Sequence, residues 1–164
     1  MKRILVVCSG NSCRSPMAEG LLRGLLESHP HVAVSSAGTI APEGFPATPE
    51  AVAAAGELGA DLAQHRSRRV TAELLEESAL VVAMTREHSL WLKHRFPSQA
   101  AKVVTLGELA RGQAGPDIPD PIGQPLAVYR RVAAQLRVLL GEARPAILEK
   151  IDMPGEPGER EGKQ

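Results

Sequence analysis

Aromatic side chains are nearly missing from this chain: Trp91, Tyr129, Phe45 and Phe96 are the whole set in 164 residues. A core must therefore come from Leu, Val, Ile, Ala and Met, and few rings remain to clasp an aromatic ligand. Cysteine is almost as scarce. Cys8 and Cys13 are the two present, too few for a disulfide framework and in keeping with a reducing cytoplasm. No apolar run approaches the ~20 residues of a membrane span. The short run Ile4-Leu5-Val6-Val7 after Met1-Lys2-Arg3 falls well below the roughly 7–15 residues of a signal core. The expected location is cytoplasmic, without a membrane partner. Neither sign of charge is in excess, since 19 Lys and Arg balance 19 Asp and Glu; nothing favours nucleic acid as a partner. No internal repeat is visible, and the length suits one domain.

What is present is concentrated near the N-terminus. Ile4–Val7 reads as a strand ending at Cys8. The string Cys8-Ser9-Gly10-Asn11-Ser12-Cys13-Arg14-Ser15 follows, and Pro16 stands where a helix would begin, with Ser15 as its N-cap. A strand, a tight loop and a helix N-terminus turn free N–H groups and the positive end of a helix dipole toward one point. That is an anion pocket. A cysteine at its mouth has its thiolate favoured by the same field. Arg14 can close over the anion with planar, two-pronged donors. Cys-x5-Arg-Ser thus reads as a nucleophile in a phosphate cradle. Two blander readings are weaker. A buried strand cysteine would not need Gly-Asn and Arg-Ser-Pro behind it. A zinc site made of Cys8 and Cys13 with His65 or His88 lacks a second cysteine pair, so no metal and no cofactor are expected.

Strands and helices alternate along the rest. Strands are expected over 3–8, 32–36, 80–84 and 102–106. A helix is expected over 15–26, with Met17, Leu21, Leu22, Leu25 and Leu26 on one face. A second opens at Pro49 behind an N-cap at Thr48 and runs to about Leu58. Thr71 caps a short helix through Ser78, and Thr85 caps one to about His94. A long helix covers 126–141, with 144–150 as an extension, while 107–125 reads as mostly loop. Residues 153–164 carry Pro, Gly and charge without an apolar period and read as a flexible tail. Residues 1–152 form the domain. The alternation implies a three-layer α/β fold, a parallel sheet covered on both faces. Right-handed crossovers place the first strand centrally, and the Cys8 loop then lies at the switch point where such sheets bind ligands.

These residues resemble the low-molecular-weight protein phosphatase superfamily, which includes tyrosine phosphatases, arginine phosphatases and thioredoxin-coupled arsenate reductases. The resemblance is carried by Val7-Cys8-Ser9-Gly10-Asn11-Ser12-Cys13-Arg14-Ser15-Pro16-Met17-Ala18-Glu19, Ser36-Ala37-Gly38-Thr39, His65-Arg66-Ser67-Arg68 and Asp120-Pro121, in the family's order over roughly residues 1–150. It implies four parallel strands in the order 2-1-3-4. It also implies hydrolysis of phosphorylated protein side chains through a phospho-cysteine, with inorganic phosphate as product and inhibitor. Cys8 is then the nucleophile, and Arg14 holds the phosphoryl oxygens. The loop from Ser9 through Gly10, Asn11, Ser12 and Cys13 to Arg14 supplies N–H groups. Ser15 matches the family's hydroxyl that donates to the cysteine thiolate. Asn11 on its own reads as a residue tolerating a left-handed backbone. In the family it is also tied to residues matching Ser36 and His65, which support the loop from behind. Taken alone, His65 in its basic stretch would read as a surface histidine. Asp120 is the expected general acid and base. Asp117 is its rival, set aside because the family's acid precedes a proline. Cys13 is read either as a redox partner forming a reversible disulfide with Cys8 or as a small packing residue.

The resemblance also bears on substrate. Tyrosine phosphatases of the family usually carry aromatic residues after Asp-Pro, where this chain has Ile122-Gly123, and a bulky aliphatic residue where it has Ser12. Arginine phosphatases carry a small hydroxyl residue, usually threonine, at the Ser12 position and a glycine matching Gly123. A hydroxyl and a carboxylate suit a guanidinium group. Phosphoarginine is therefore favoured, with phosphotyrosine a close second. Arsenate reductases of this fold need two further cysteines, one of them where this chain has Thr85, and tend to have glutamine at Pro16. A non-catalytic phospho-residue binder would need no acid, and Asp120 argues against it.

Overall fold

Ile4, Leu5, Val6 and Val7 are all fully buried, as a strand covered on both faces requires. They lie in β1 (Lys2–Cys8), at the centre of the sheet. β1 pairs in parallel with β2 (Val32–Gly38) on one side and β3 (Leu80–Ala83) on the other, and β3 pairs with β4 (Val103–Thr105). The order is β2-β1-β3-β4, as the family resemblance implies. The computed structural model describes residues 1–152; the expected tail at 153–164 lies outside the described residues.

Alternation along β1 divides the core. Ile4, Val6 and Cys8 join a cluster with residues of α1 (Arg14–Leu25), α2 (Pro49–Glu57), α5 (Leu106–Arg111) and α6 (Leu126–Asp152). Leu5 and Val7 pack on the opposite face against Leu75 of α3 (Ala72–Glu77) and Leu92 of α4 (Arg86–Arg95). A strand exposes successive side chains to opposite faces, so one apolar strand feeds both cores and three layers result. None of the described helices is long and apolar enough to cross a membrane.

Threonine caps start four of the helices. Thr48, Thr71, Thr85 and Thr105 accept from the N–H groups of Ala51, Leu74, His88 and Glu108 at 3.0–3.3 Å. The cap at Thr105 opens α5 inside a stretch that composition marks as loop. Thr105 followed by Glu108 is a capping-box pattern, outweighed by the Gly, Pro and Asp that come after it. One further expectation is corrected. α1 begins at Arg14, with Cys13 at the cap position and no side-chain cap bond, so Ser15 lies inside the first turn rather than capping it. α6 runs through Pro145 to Asp152 as one helix, so 144–150 extends it. Strand ends otherwise differ by one or two residues.

Candidate active site

The loop of residues 9–13 leaves the carboxyl end of β1 and enters α1 directly. Its base is clamped to the end of β2: Thr39 N–H donates to the Cys8 carbonyl at 2.9 Å and Ile40 N–H to the Ser9 carbonyl at 3.1 Å. Gly38 makes the approach possible, because a Cβ there would strike the Ser9 carbonyl and lie 2.8 Å from Ala41 Cβ.

Asn11 sits at φ 53° and is fully buried. Its Nδ2 donates to Ser15 Oγ and to Ser36 Oγ, both at 2.9 Å, and its Oδ1 accepts from Arg68 N–H at 3.0 Å. His65 Nε2 donates to the Asn11 carbonyl at 2.7 Å. A glycine would tolerate the backbone but supply none of these side-chain bonds; an aspartate would lose both donors. Asn11, Ser36 and His65 are thus brought together. The consequence reaches Cys8. Ser15 Oγ accepts from Asn11, and its own proton remains for Cys8 Sγ, 2.9 Å away. That polarity suits a thiolate. Placing Ser15 within the first turn, rather than at the cap, is what brings its hydroxyl to the sulfur.

Arg14 is buried, with Nη1 donating to the Ile118 carbonyl at 3.1 Å and Nη2 3.4 Å from Asp120 Oδ2. The two ends of the guanidinium are thereby fixed on the segment carrying Asp120. Ile118 N–H in turn donates to Met84 O just beyond β3 at 3.0 Å. Asp120 is half exposed. Asp117 faces elsewhere: its Oδ1 accepts from Arg86 N–H at 2.9 Å, at the start of α4. Gly123 has φ 75° in a turn closed by Gln124 N–H on Pro121 O at 2.9 Å, so backbone geometry alone accounts for a glycine there.

Ser12 is half-buried, with Oγ 3.6 Å from Cys13 Sγ. Cys8 and Cys13 are both free thiols, and their sulfurs have different neighbours. Cys13 Sγ meets Tyr129 OH at 3.3 Å and Thr48 Oγ1 at 3.6 Å. Burial, and then the Cys13 contact, push the Tyr129 phenol up to about 12, so it stays protonated. Among the described residues, no three His, Cys, Asp or Glu side chains cluster as a metal set.

Sequence reasoning misses His88 in its actual place. It is buried, with Nε2 2.8 Å from Ser9 Oγ and Nδ1 2.9 Å from Thr85 Oγ1. Burial, and then the charge of Arg14, push its pKa down to about 4 against the opposing pull of Asp117 and Asp120. Ser9 and His88 stand 79 positions apart in the chain, and no local pattern links them.

A cysteine-bearing loop thus stands at the switch point of a 2-1-3-4 parallel sheet, faced by an arginine and an aspartate. The family model described as low molecular weight phosphotyrosine protein phosphatase matches residues 3–151. The protein-arginine-phosphatase of Geobacillus stearothermophilus is 41% identical over 138 residues, 84% of this chain and 90% of that protein. The probable low molecular weight protein-tyrosine-phosphatase EpsP of Ralstonia solanacearum is 37% identical over 137 residues, with the same coverage of 84% and 90%. A mutant of the YwlE arginine phosphatase, solved with a phosphorylated active-site serine, superposes with a TM-score of 0.84 at 36% identity, covering 90% of this chain and 96% of that one. The chain belongs to the low molecular weight phosphotyrosine protein phosphatase family and is an enzyme of the protein-tyrosine and protein-arginine phosphatase class.

Proposed function

We propose that the enzyme hydrolyses phosphorylated protein side chains through a phospho-cysteine at Cys8, with phosphoarginine favoured over phosphotyrosine. The observation that carries this reading is the donor chain Asn11–Ser15–Cys8 set beside the Arg14–Asp120 pair. The Cys8 thiolate attacks phosphorus, an S–P bond forms, and the P–N or P–O bond to the side chain breaks. Asp120, entering the step protonated, gives its proton to the leaving nitrogen or oxygen. Arg14 and the loop N–H groups hold the equatorial oxygens through the in-line step. Asp120, now a carboxylate, takes a proton from water as the water attacks phosphorus and the S–P bond breaks. Inorganic phosphate leaves, and it competes for the same cradle as an inhibitor. The phosphorylated serine in the related YwlE mutant supports a loop nucleophile that receives the phosphoryl group.

The preference rests on Ser12, on the acceptor oxygen that a protonated Asp120 still offers a guanidinium N–H, and on Ile122 where an aromatic residue would clasp a phenol ring. The 41% identity to a protein-arginine-phosphatase points the same way. The test is kcat/KM on a phosphoarginine and a phosphotyrosine peptide, side by side, in wild type and in Ser12→Ile. Wild type should favour phosphoarginine. Ser12→Ile should move the ratio toward phosphotyrosine by roughly ten- to a hundredfold, the worth of one polar contact in a desolvated pocket. A wild type that prefers phosphotyrosine, or a ratio that the substitution leaves unchanged, contradicts the arginine reading.

A further inference from the structure

His88 takes no part in the steps above, yet it is built into the loop that performs them. We propose that His88 is a positioning residue of the phosphate loop: its ring accepts from Thr85 and donates to Ser9, so that the Ser9 hydroxyl proton is left for the bound phosphoryl group. The inference rests on the phosphatase reading of the loop.

The distances allow either tautomer of the ring, and the charge of the ligand chooses between them. Thr85 Oγ1 already accepts from His88 N–H at 3.1 Å as the cap of α4. Its single proton is available to Nδ1, 2.9 Å away. An accepting Nδ1 puts the ring proton of the neutral imidazole on Nε2, 2.8 Å from Ser9 Oγ. Ser9 Oγ then accepts, and its own proton is free. The reverse order would spend the Ser9 proton on the ring and present oxygen lone pairs to an anion. A dianion in the cradle selects the first order over the second.

The surroundings keep the ring in the form this chain of bonds needs. Arg14 faces it from the loop–α1 junction, and Asp117 and Asp120 from the segment after α5. Burial and Arg14 outweigh the two carboxylates, so His88 is neutral at ordinary pH. An imidazolium would carry a proton on Nδ1 and lose the Thr85 donor. The anchor is also rigid: the first turn of α4 fixes Thr85 and His88 together, and Ser9 directly follows Cys8.

Phosphate oxygens are bound before and during reaction alike, so removing this contact weakens binding rather than the chemical step. His88→Leu fills the space without a donor. It should raise the KM for the phosphopeptide and the directly titrated Kd of inorganic phosphate about tenfold, with kcat changed by no more than about threefold. His88→Gln, whose amide N–H reaches the Nε2 position, should restore most of the loss. A space-filling role predicts the opposite ranking. Ser9→Ala should match His88→Leu, and the double variant should lose nothing further. If His88→Leu fails to fold, Ser9→Ala and the ring itself decide: nitrogen-15 shifts of the His88 imidazole should report an Nε2–H tautomer that does not titrate from about pH 5.5 to about pH 8. An Nδ1–H tautomer, or wild-type phosphate affinity in Ser9→Ala or in a folded His88→Leu, overturns the proposal. Tautomer and phosphate affinity are read without turnover. A wild type inactive on every phosphopeptide would thus sink the phosphatase reading while these two measurements still judged His88.

Discussion

Asp117 and Asp120 carry the same side chain in the same loop, and only their partners tell them apart. Asp117 is spent on the N–H of Arg86, whereas Asp120 stands 3.4 Å from Arg14 with half its surface open to an incoming substrate. Asp120→Ala should therefore cost roughly 10²–10⁴-fold in kcat on substrates whose leaving group needs a proton. It should cost far less on an activated aryl phosphate, whose leaving group departs unprotonated. Asp117→Ala should show no such dependence on the leaving group. Rates measured across a leaving-group series decide the matter, and the assignment is wrong if the dependence follows Asp117. At this scale the sequence was legible wherever the chemistry is contiguous. Cys8 to Ser15 could be read because the loop is a single stretch of chain. Asp120 could be ranked over Asp117 only through the resemblance, since its partner Arg14 lies far away in sequence. The contacts of His88 with Ser9 and of Tyr129 with Cys13 join residues 79 and 116 positions apart, and no local spacing encodes such pairs.

At the scale of elements, the Cys8 loop is seated by its neighbours more than by itself. β2 clamps its base, the cap of α2 holds Ser12 O through Thr48 N–H at 3.0 Å, α4 reaches Ser9, and α6 reaches Cys13. The clamp from β2 is the tightest. A Cβ at Gly38 would lie 3.0 Å from Asn11 N as well as striking Ser9 O. Both of these are backbone atoms that cannot swing away. Gly38→Ala should cost about 1–3 kcal/mol of stability and lower kcat/KM at least about tenfold by displacing the loop. Gly24→Ala in α1 is the control: nothing lies within 4 Å of a Cβ there, and the change should be neutral or stabilising by up to ~1 kcal/mol. Thermal unfolding and kcat/KM on both variants test this, and an unaffected Gly38→Ala enzyme would contradict it. Element types were readable from period and caps because Thr48, Thr71 and Thr85 each stand immediately before an apolar pattern. α5 was not, because a six-residue helix carries too little period to outweigh the glycines and prolines around it.

For the molecule as a whole, one buried ring ties stability to acidity. The folded chain holds His88 at about 4 against an ordinary value of 6.5. Between those values the unfolded chain binds the extra proton. The contribution is therefore fully present above about 6.5 and is lost as pH falls through about 4. It amounts to about 3 kcal/mol, and His88→Gln should remove it. Wild type should lose more stability than the variant between about pH 7 and pH 4 in parallel denaturant titrations; equal losses would contradict the burial of a neutral ring. The architecture was legible at this scale for a simple reason. An apolar strand buried on both faces, in alternation with helices, leaves few arrangements other than a covered parallel sheet.

The first acceptor of the phosphoryl group decides the mechanism. A single turnover of a phosphopeptide, quenched rapidly in alkaline denaturant and mapped by mass spectrometry, reads this directly. The expected result is a phosphoryl group on Cys8 that appears before free phosphate and decays as phosphate forms. Release of phosphate at the full turnover rate with Cys8 unmodified, or with the group on another residue, would contradict it.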